Sequence, residues 1–221
     1  MLHTVDNCPR KIYVFDLGGV LINLNVNRCM DAFTALMGTD NLRSVLGMDA
    51  DGEGVTAVSI ASRRLMADFE RGLISPDEFI GSILPYCKSG TTTQQITDAW
   101  MAMLDDLPAE RLNVIARLKA TGYPVYLLSN GNDLHFTYIN QTYRLDHYFD
   151  RMFLSQQMHM AKPEKEIFDA VHQSLTAAHP EVTDPRNIIF IDDIEANRTA
   201  ASHYVGWTTY PALSSLLKSN H

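Results

Sequence analysis

The sequence has few cysteines, no block of basic residues and no long apolar run, and each absence excludes a class of protein. Its 3 cysteines, Cys8, Cys29 and Cys87, are widely spaced without a Cys-x-x-Cys pair, so neither a disulfide framework nor a zinc site is predicted. The net charge of −8, with no basic run longer than Arg63-Arg64, argues against nucleic acid as a partner. Without a signal core in residues 1–10 or a span of roughly 20 apolar residues, we expect a cytoplasmic protein with no membrane partner.

Helix-like and strand-like patterns alternate from about residue 108 onward. The predicted elements are helix 108–121, strand 125–128, a helix from 133, strand 152–154, helix 164–175, strand 188–191 and helix 194–204. The apolar run 12–15 near the N-terminus predicts one more strand. Such alternation implies right-handed crossovers, so the predicted fold class is α/β, a Rossmann-like parallel sheet with helices on both faces.

Residues 23–105 break this alternation, because they hold helical apolar stripes and no convincing strand. Ser75-Pro76-Asp77-Glu78 forms a capping box with proline at the first helical position, which predicts a helix start near Pro76. Further helices are predicted at 27–37 and 93–104. The sequence therefore predicts an all-helical cap, residues 23–105, inserted into a core made of residues 1–22 and 106–221.

Carboxylates directly follow two of the predicted strands. Asp16 comes after the run 12–15, and the pair Asp192-Asp193 comes after 188–191. Because the carboxyl ends of parallel strands line a ligand crevice, we expect these acids to meet there. Burying several ionised carboxylates is costly without a cation, and an oxygen-only ligand set favours Mg²⁺.

Two further segments carry polar groups at strand ends or helix starts. Ser129-Asn130-Gly131 ends a predicted strand and opens a helix, where free amides bind phosphate. Lys162 precedes Pro163, which favours an extended backbone and lets the ammonium reach the crevice. Taken singly, these motifs and the acids also fit a simple turn, a surface lysine or a helix cap.

In this order the four motifs resemble those of the haloacid dehalogenase superfamily of phosphohydrolases. They are Asp16, Ser129, Lys162 and Asp192-Asp193. The resemblance covers the whole chain, since members with a helical cap inserted after the first motif have the same layout. At closer range, Phe-Asp-Leu-Gly-Gly-Val and Leu-Ser-Asn-Gly-Asn are similar to the subgroup that contains bacterial α-glucose-1-phosphate phosphatase.

The resemblance implies a role for each motif residue and a small phosphorylated metabolite as substrate. Asp16 is expected to be the nucleophile, forming an aspartyl-phosphate that water hydrolyses. Asp16, the Gly18 carbonyl and Asp192 would hold Mg²⁺, while Asp193 would orient a water near the ion. The expected phosphate-binding residues are Ser129, Asn130, Gly131 and Lys162, and Lys162 would also neutralise charge in the transition state.

Gly18 departs from the family pattern, which places a second aspartate there as the general acid and base. General acid–base catalysis contributes about 10²–10⁴-fold, so its loss raises the barrier by roughly 3–5 kcal/mol unless another group compensates. The leaving group of a sugar 1-phosphate or of an acyl phosphate departs more easily than a simple alkoxide does. We therefore expect such substrates in preference to ordinary alkyl phosphates.

The same departure keeps two alternatives open. Dehalogenases of the superfamily also use an aspartate without the second acid, although they lack the acid pair retained here as Asp192-Asp193. The other alternative is a catalytically silent Mg²⁺- or phosphate-binding regulatory protein. Asp49 to Gly54 imitates the first half of a calcium loop, but Ile60 at position twelve cannot supply the required carboxylate.

Substrate choice in this family depends on the cap, which is expected to open and close about hinges near 21–23 and 105–108. The role of His135, which recurs in the subgroup pattern, stays open. The polar cap residues offered as substrate contacts are Asn23, Asn25, Arg28, Arg43, Arg63 and Arg64.

Overall fold

A computed structural model describes residues 10–37 and 57–218, with the side chains of 57–63 and 216–218 left undescribed. Cys8, Arg43, Arg63 and the segment from Asp49 to Gly54 therefore lie outside what can be compared with the predictions. In the described part of the chain, no helix has both the length and the apolar character needed to cross a membrane.

The described chain builds one five-stranded parallel sheet. Its strands are β1 (Ile12–Phe15), β2 (Val125–Ser129), β3 (Arg151–Leu154), β4 (Ile188–Ile191) and β5 (Thr208–Tyr210), in the order β3-β2-β1-β4-β5. Phe15 at the end of β1 pairs with Leu127 on one side and Ile191 on the other. The parallel α/β sheet is confirmed. β5 was not predicted, because its Thr-Thr-Tyr edge strand is short and only half-buried, so it has no apolar run.

Ten helices accompany the strands in the described residues. They are α1 (Val26–Met37), α2 (Ala57–Glu70), α3 (Pro76–Ile83), α4 (Thr93–Met101), α5 (Ala109–Ala120), α6 (Asp133–Tyr143), α7 (Ser155–Met158), α8 (Lys165–Ala178), α9 (Glu195–Val205) and α10 (Leu213–Lys218). Three short 3₁₀ turns, Leu84–Tyr86, Leu145–His147 and Pro185–Asn187, complete them. Helix α8 begins one residue later than predicted, because Glu164 has an extended backbone and forms the N-cap.

The sheet is covered by helices on both faces, as predicted. Successive strand residues point to opposite sides. Phe15 and Leu127 contribute to a cluster that includes Ile115 of α5. Val14 and Leu128, their sequence neighbours, belong to the opposite cluster with helices α8 and α9. Both clusters bury their strand residues almost completely, which holds the carboxyl ends of the strands in fixed positions.

Helices α1 to α4 pack around a separate aromatic cluster and form the cap. Phe69 and Phe79 stack with ring centroids 4.1 Å apart, and Trp100 packs edge-on to Phe79 at 5.0 Å. The capping box starts α3 as predicted, since the Glu78 amide donates to Ser75 Oγ at 3.3 Å and the Ser75 amide donates back to Glu78 Oε2 at 2.8 Å.

Two antiparallel segments carry the chain between cap and core. The Asp105 amide donates to the Asn23 carbonyl at 3.0 Å, and the Asn23 amide donates to the Asp106 carbonyl at 2.9 Å. Leu24 and Leu104 form the next bridge. Helix α4 therefore ends at Met101, three residues earlier than predicted, because the following residues join this pairing. The crossing pairs residues 23–24 with 104–106, and the hinge motion and the 23–105 boundary stay predictions.

Candidate functional site

Two carboxylates converge on one ammonium at the carboxyl edge of the sheet. Asp16 follows β1, Asp192 follows β4, and Lys162 reaches them from the loop before α8. The Lys162 Nζ lies 2.9 Å from Asp16 Oδ1 and 2.6 Å from Asp192 Oδ2, and it also donates to the Leu128 carbonyl at 3.0 Å. All three charged side chains are buried, with at most 8% of each exposed. The strand ends therefore bring together residues that lie up to 176 positions apart in the sequence.

Asp193 completes an acidic cluster with these residues. One carboxylate oxygen from each of Asp16, Asp192 and Asp193 lies within 4.8 Å of the others. With Lys162, the ionised cluster carries two uncompensated negative charges, which one divalent cation balances. The donor atoms are all oxygens, as Mg²⁺ requires. The residues present therefore fit the predicted ion.

Gly19 makes room for Asp193. Its backbone has a φ of +73°, the left-handed region that favours glycine, and an added Cβ would lie 2.2 Å from Asp193 Oδ2. The turn after β1 closes through the Gly19 amide, which donates to the Ile22 carbonyl at 2.9 Å. Glycine is therefore required at position 19, because any side chain there would overlap Asp193.

Helix α9 fixes the orientation of Asp192. The Ile194 amide donates to Asp192 Oδ1 at 2.8 Å, and the Asn197 amide nitrogen lies 3.1 Å from both carboxylate oxygens. Arg198 donates to the backbone carbonyls of Asp192 and Asp193 at 2.8 and 2.7 Å. The carboxylate is therefore preorganised by a helix start and by Asn197, which closes the fourth sequence motif but had no predicted role.

Asn130 positions Lys162 through its side chain. Its amide nitrogen donates to the Lys162 carbonyl at 2.8 Å, and its Oδ1 accepts from the Lys162 amide at 2.9 Å. Ser129 Oγ donates to the Asn130 carbonyl at 3.2 Å, while the Gly131 amide donates to Ser155 Oγ at 3.0 Å. Ser129, Asn130 and Gly131 all line the same cavity as Asp16, where their phosphate-binding role stays a prediction.

Burial dominates the electrostatics of the cluster. It raises the pKa of Asp16 to about 6, against the lowering effect of Lys162 and with an added push from Asp192. Burial and Asp192 also raise the pKa of Asp193. Burial alone would lower the pKa of Lys162, but the two carboxylates outweigh it and raise it. The ammonium therefore stays charged, while the carboxylates carry more negative charge than their surroundings compensate.

The cluster lies at one side of a cavity of about 450 Å³ between core and cap. The described cap residues that line it are Leu24, Met66, Glu70, Trp100, Met103 and Leu104. Only Glu70 among these is charged, so the cap wall is mainly apolar. The polar cap residues offered from the sequence do not line it where they are described, since Asn23 and Arg28 bond within the crossing segments and Arg64 is 83% exposed in its side chain.

Trp100 and His135 connect the cap to the core beside this cavity. Their rings stack at 5.1 Å with an interplanar angle of 8°. His135 Nε2 lies 3.1 Å from the Trp100 carbonyl and its Nδ1 lies 3.3 Å from Asn132 Nδ2, which assigns the proton to Nε2. Burial lowers the pKa of His135 to about 4. The ring is thus neutral, and its contacts with Trp100 and Asn132 indicate a structural role.

Gln156 carries a buried amide with no partner in the described part of the chain. It follows β3, lines the cavity and is 4% exposed, yet neither Oε1 nor Nε2 makes a hydrogen bond. An unpaired buried amide costs about 1–3 kcal/mol, so it has capacity to bind a ligand group. The sequence contained a signal for it, because it stands two residues after a predicted strand, as catalytic groups of such sheets do.

Comparisons with known proteins agree with this geometry. A family model described as haloacid dehalogenase-like hydrolase matches residues 10–203. A D-ribitol-5-phosphate phosphatase of Bacteroides thetaiotaomicron is 27% identical over 194 residues, covering 85% of this chain and 84% of that protein. A haloacid dehalogenase family enzyme of the same species, solved with magnesium and inorganic phosphate, is 35% identical with a TM-score of 0.73, covering 91% of this chain and 93% of that one. An (S)-2-haloacid dehalogenase of Pseudomonas fluorescens is 23% identical over 193 residues, covering 86% of this chain and 79% of that protein.

Proposed function

The chain belongs to the haloacid dehalogenase-like hydrolases, and from that premise we propose that it is a Mg²⁺-dependent phosphohydrolase of a small phosphorylated metabolite. The observation that carries the proposal is the buried contact of Lys162 with both Asp16 and Asp192 at the cavity. A buried cluster with excess negative charge suits a divalent ion and a phosphate ester together. The acid pair favours phosphate over haloacid as the substrate.

Asp16 acts as the nucleophile in this proposal. Its carboxylate attacks phosphorus, the bond to the leaving oxygen breaks, and the resulting aspartyl-phosphate is hydrolysed by water. Lys162 keeps Asp16 ionised and lies where it can neutralise charge on the phosphoryl oxygens. Asn130 holds Lys162 in place through two hydrogen bonds, so it is a positioning residue as well as part of the phosphate-binding loop.

Asp16, Asp192 and the Gly18 carbonyl are the groups that would hold Mg²⁺, with Asp193 beside them. When bound, the ion supplies positive charge to a phosphoryl group. The magnesium and phosphate in the related Bacteroides structure support this assignment. Asn197 and the Ile194 amide hold Asp192 in one orientation, so this carboxylate is already positioned to bind an ion.

The organic part of the substrate is a hydroxylated chain or sugar in our proposal. The cavity volume of about 450 Å³ suits a small metabolite. The unpaired Gln156 amide offers two N–H donors and one carbonyl acceptor to hydroxyl groups. The relative that is a D-ribitol-5-phosphate phosphatase supports a polyol phosphate, whereas the sequence alone favours a sugar 1-phosphate. A cytoplasmic location belongs to the proposal and accords with the free thiols of Cys29 and Cys87.

Phosphate release tests the proposal. Purified protein is incubated with ribitol 5-phosphate, glucose 1-phosphate and acetyl phosphate, each with Mg²⁺ and with excess chelator. We expect phosphate release from at least one compound that stops when the metal is removed. Chloride release from (S)-2-chloropropionate without phosphatase activity would instead support the dehalogenase alternative. Binding of Mg²⁺ and phosphate without turnover of any compound would support the silent binding protein.

A further inference from the structure

The Gly18 position leaves the proposed reaction without its usual proton donor. An alkoxide leaving group needs a proton as the bond between phosphorus and oxygen breaks. Five described residues that line the cavity have titratable side chains, and they are Asp16, Glu70, His135, Lys162 and Asp193. Among the described residues, these are the groups that could supply the proton directly within this cavity.

Four of the five are already engaged. Asp16 and Asp193 belong to the acidic cluster, and Lys162 contacts two carboxylates. His135 has both ring nitrogens within hydrogen-bond distance of Trp100 and Asn132. The Glu70 carboxyl group accepts no hydrogen bond from the described residues. Within the described part of the chain, no hydrogen bond keeps it from a substrate.

Glu70 is held in place by its backbone. Ser155 Oγ donates to the Glu70 carbonyl at 2.6 Å and accepts from the Gly131 amide at 3.0 Å, so the end of α2 is tied to the loop after β2. The next residue, Arg71, pairs with Glu164 and accepts from His159 Nδ1 at 2.8 Å through its carbonyl. Gly72, with a φ of +63°, passes so close to the core that an added Cβ would lie 2.2 Å from the Gln156 carbonyl.

The buried position of this carboxyl group, and not the charges around it, favours its protonated form. Burial raises the pKa of Glu70, against smaller lowering effects of Arg71 and Lys162. Among the described residues, Arg71 and Lys162 are the charges that act on it, and Asp16 and Asp193 line the same cavity. Its neutral form is what a general acid requires before the leaving group departs.

We propose that Glu70, delivered by the cap, is the general acid that replaces the missing side chain at Gly18. This inference rests on the proposed phosphohydrolase function. In the first step Asp16 bonds to phosphorus, the leaving oxygen keeps the electron pair of the broken bond, and the Glu70 proton passes to it. In the second step water attacks phosphorus and gives its proton to the Glu70 carboxylate, which releases Asp16 and inorganic phosphate and restores the acid. The substrate class then includes alkyl phosphates of polyols.

The test compares two substrates that differ in their need for a proton. Ribitol 5-phosphate has an alkoxide leaving group, whereas acetyl phosphate releases acetate, which needs none. We expect Glu70→Gln to lower kcat/KM for ribitol 5-phosphate about 10²–10³-fold and for acetyl phosphate less than about threefold. Asp68→Asn removes a carboxylate on the same helix away from the cavity, and both activities should stay at the wild-type level.

Equal losses on both substrates, or no loss on either, would overturn the proposal. Glu70→Asp keeps the acid one methylene shorter and should retain more ribitol 5-phosphate turnover than Glu70→Gln, which separates acid chemistry from a folding defect. If the wild type hydrolyses acetyl phosphate but not ribitol 5-phosphate, the phosphohydrolase stands and the Glu70 role fails. If the wild type hydrolyses no phosphorylated compound, the proposed function itself fails.

Discussion

The core side and the cap side of the cavity are built differently. On the core side, charged groups stand at the ends of buried parallel strands and are held by several hydrogen bonds each, as Asp192 is by Ile194 and Asn197. On the cap side, the described wall is mainly apolar, and Glu70 is the one carboxylate among its described residues. In our proposal, the core side therefore carries out phosphoryl transfer, while the cap side selects and protonates the leaving group.

The largest effect should follow from a change on the core side. Asp16→Asn removes the proposed nucleophile while keeping its shape, so we expect kcat/KM to fall at least about 10⁴-fold. The unfolding midpoint should not fall, because an amide replaces a carboxylate whose ionised form is disfavoured by burial. Phosphate release and thermal unfolding measure the two outcomes.

Asp146→Asn serves as the matched control, since this aspartate is exposed and pairs with Arg144 away from the cavity. Its activity should equal that of the wild type. If Asp16→Asn keeps more than a tenth of the wild-type rate, Asp16 is not the nucleophile.

The fold should lose stability as pH falls, because His135 is buried in the contact between cap and core. Its pKa is about 4 in the fold and 6.5 in the unfolded reference, so the unfolded chain binds the proton first as pH falls. The stabilisation is present above pH 6.5 and is lost as pH falls towards 4. Between pH 7.5 and 4.5 this amounts to roughly 2–3 kcal/mol of unfolding free energy.

Urea unfolding at both pH values, compared with His135→Gln, isolates this contribution. Glutamine can still donate to the Trp100 carbonyl but does not titrate. Burial raises the pKa of both Asp16 and Glu70, which stabilises the fold as pH falls in wild type and variant alike. Equal pH dependence in the two proteins would contradict the assignment of a neutral, structural His135.

Gly19→Ala tests how closely the core side is built. The new Cβ would overlap Asp193, and the residue would have to keep a left-handed backbone. Displacing Asp193 by about 1 Å should lower kcat/KM on the order of 100-fold. Gly122→Ala is the control, because its φ of +84° imposes the same backbone strain while nothing lies within 4 Å. Similar activities for the two variants would show that Asp193 needs no fixed position.

The contrast between the core side and the cap side also explains which site residues could be predicted from the sequence. Asp16 and Asp192 each follow an unbroken apolar run, so local pattern and parallel topology placed them correctly before any contact was known. Glu70 lies four residues after Met66 on one helix face, yet a glutamate in an acidic stretch resembles a solvated surface residue. Its position in the cavity depends on Ser155 and Gly72 docking the cap, and no local pattern encodes such a tertiary contact.

Replacing Gln156 should have the smallest effect on activity. It should raise the stability of the fold while weakening substrate binding. Gln156→Met keeps a similar unbranched shape and removes an unpaired buried amide, so we expect the unfolding free energy to rise by about 1–2 kcal/mol. The KM for a hydroxylated substrate should rise about 2–10-fold, because one hydrogen bond to it is lost. Gln173→Met changes an exposed amide on α8 and should alter neither value. A Gln156→Met protein that is less stable than wild type would mean that the amide already has a partner, and an unchanged KM would mean that the substrate does not use it.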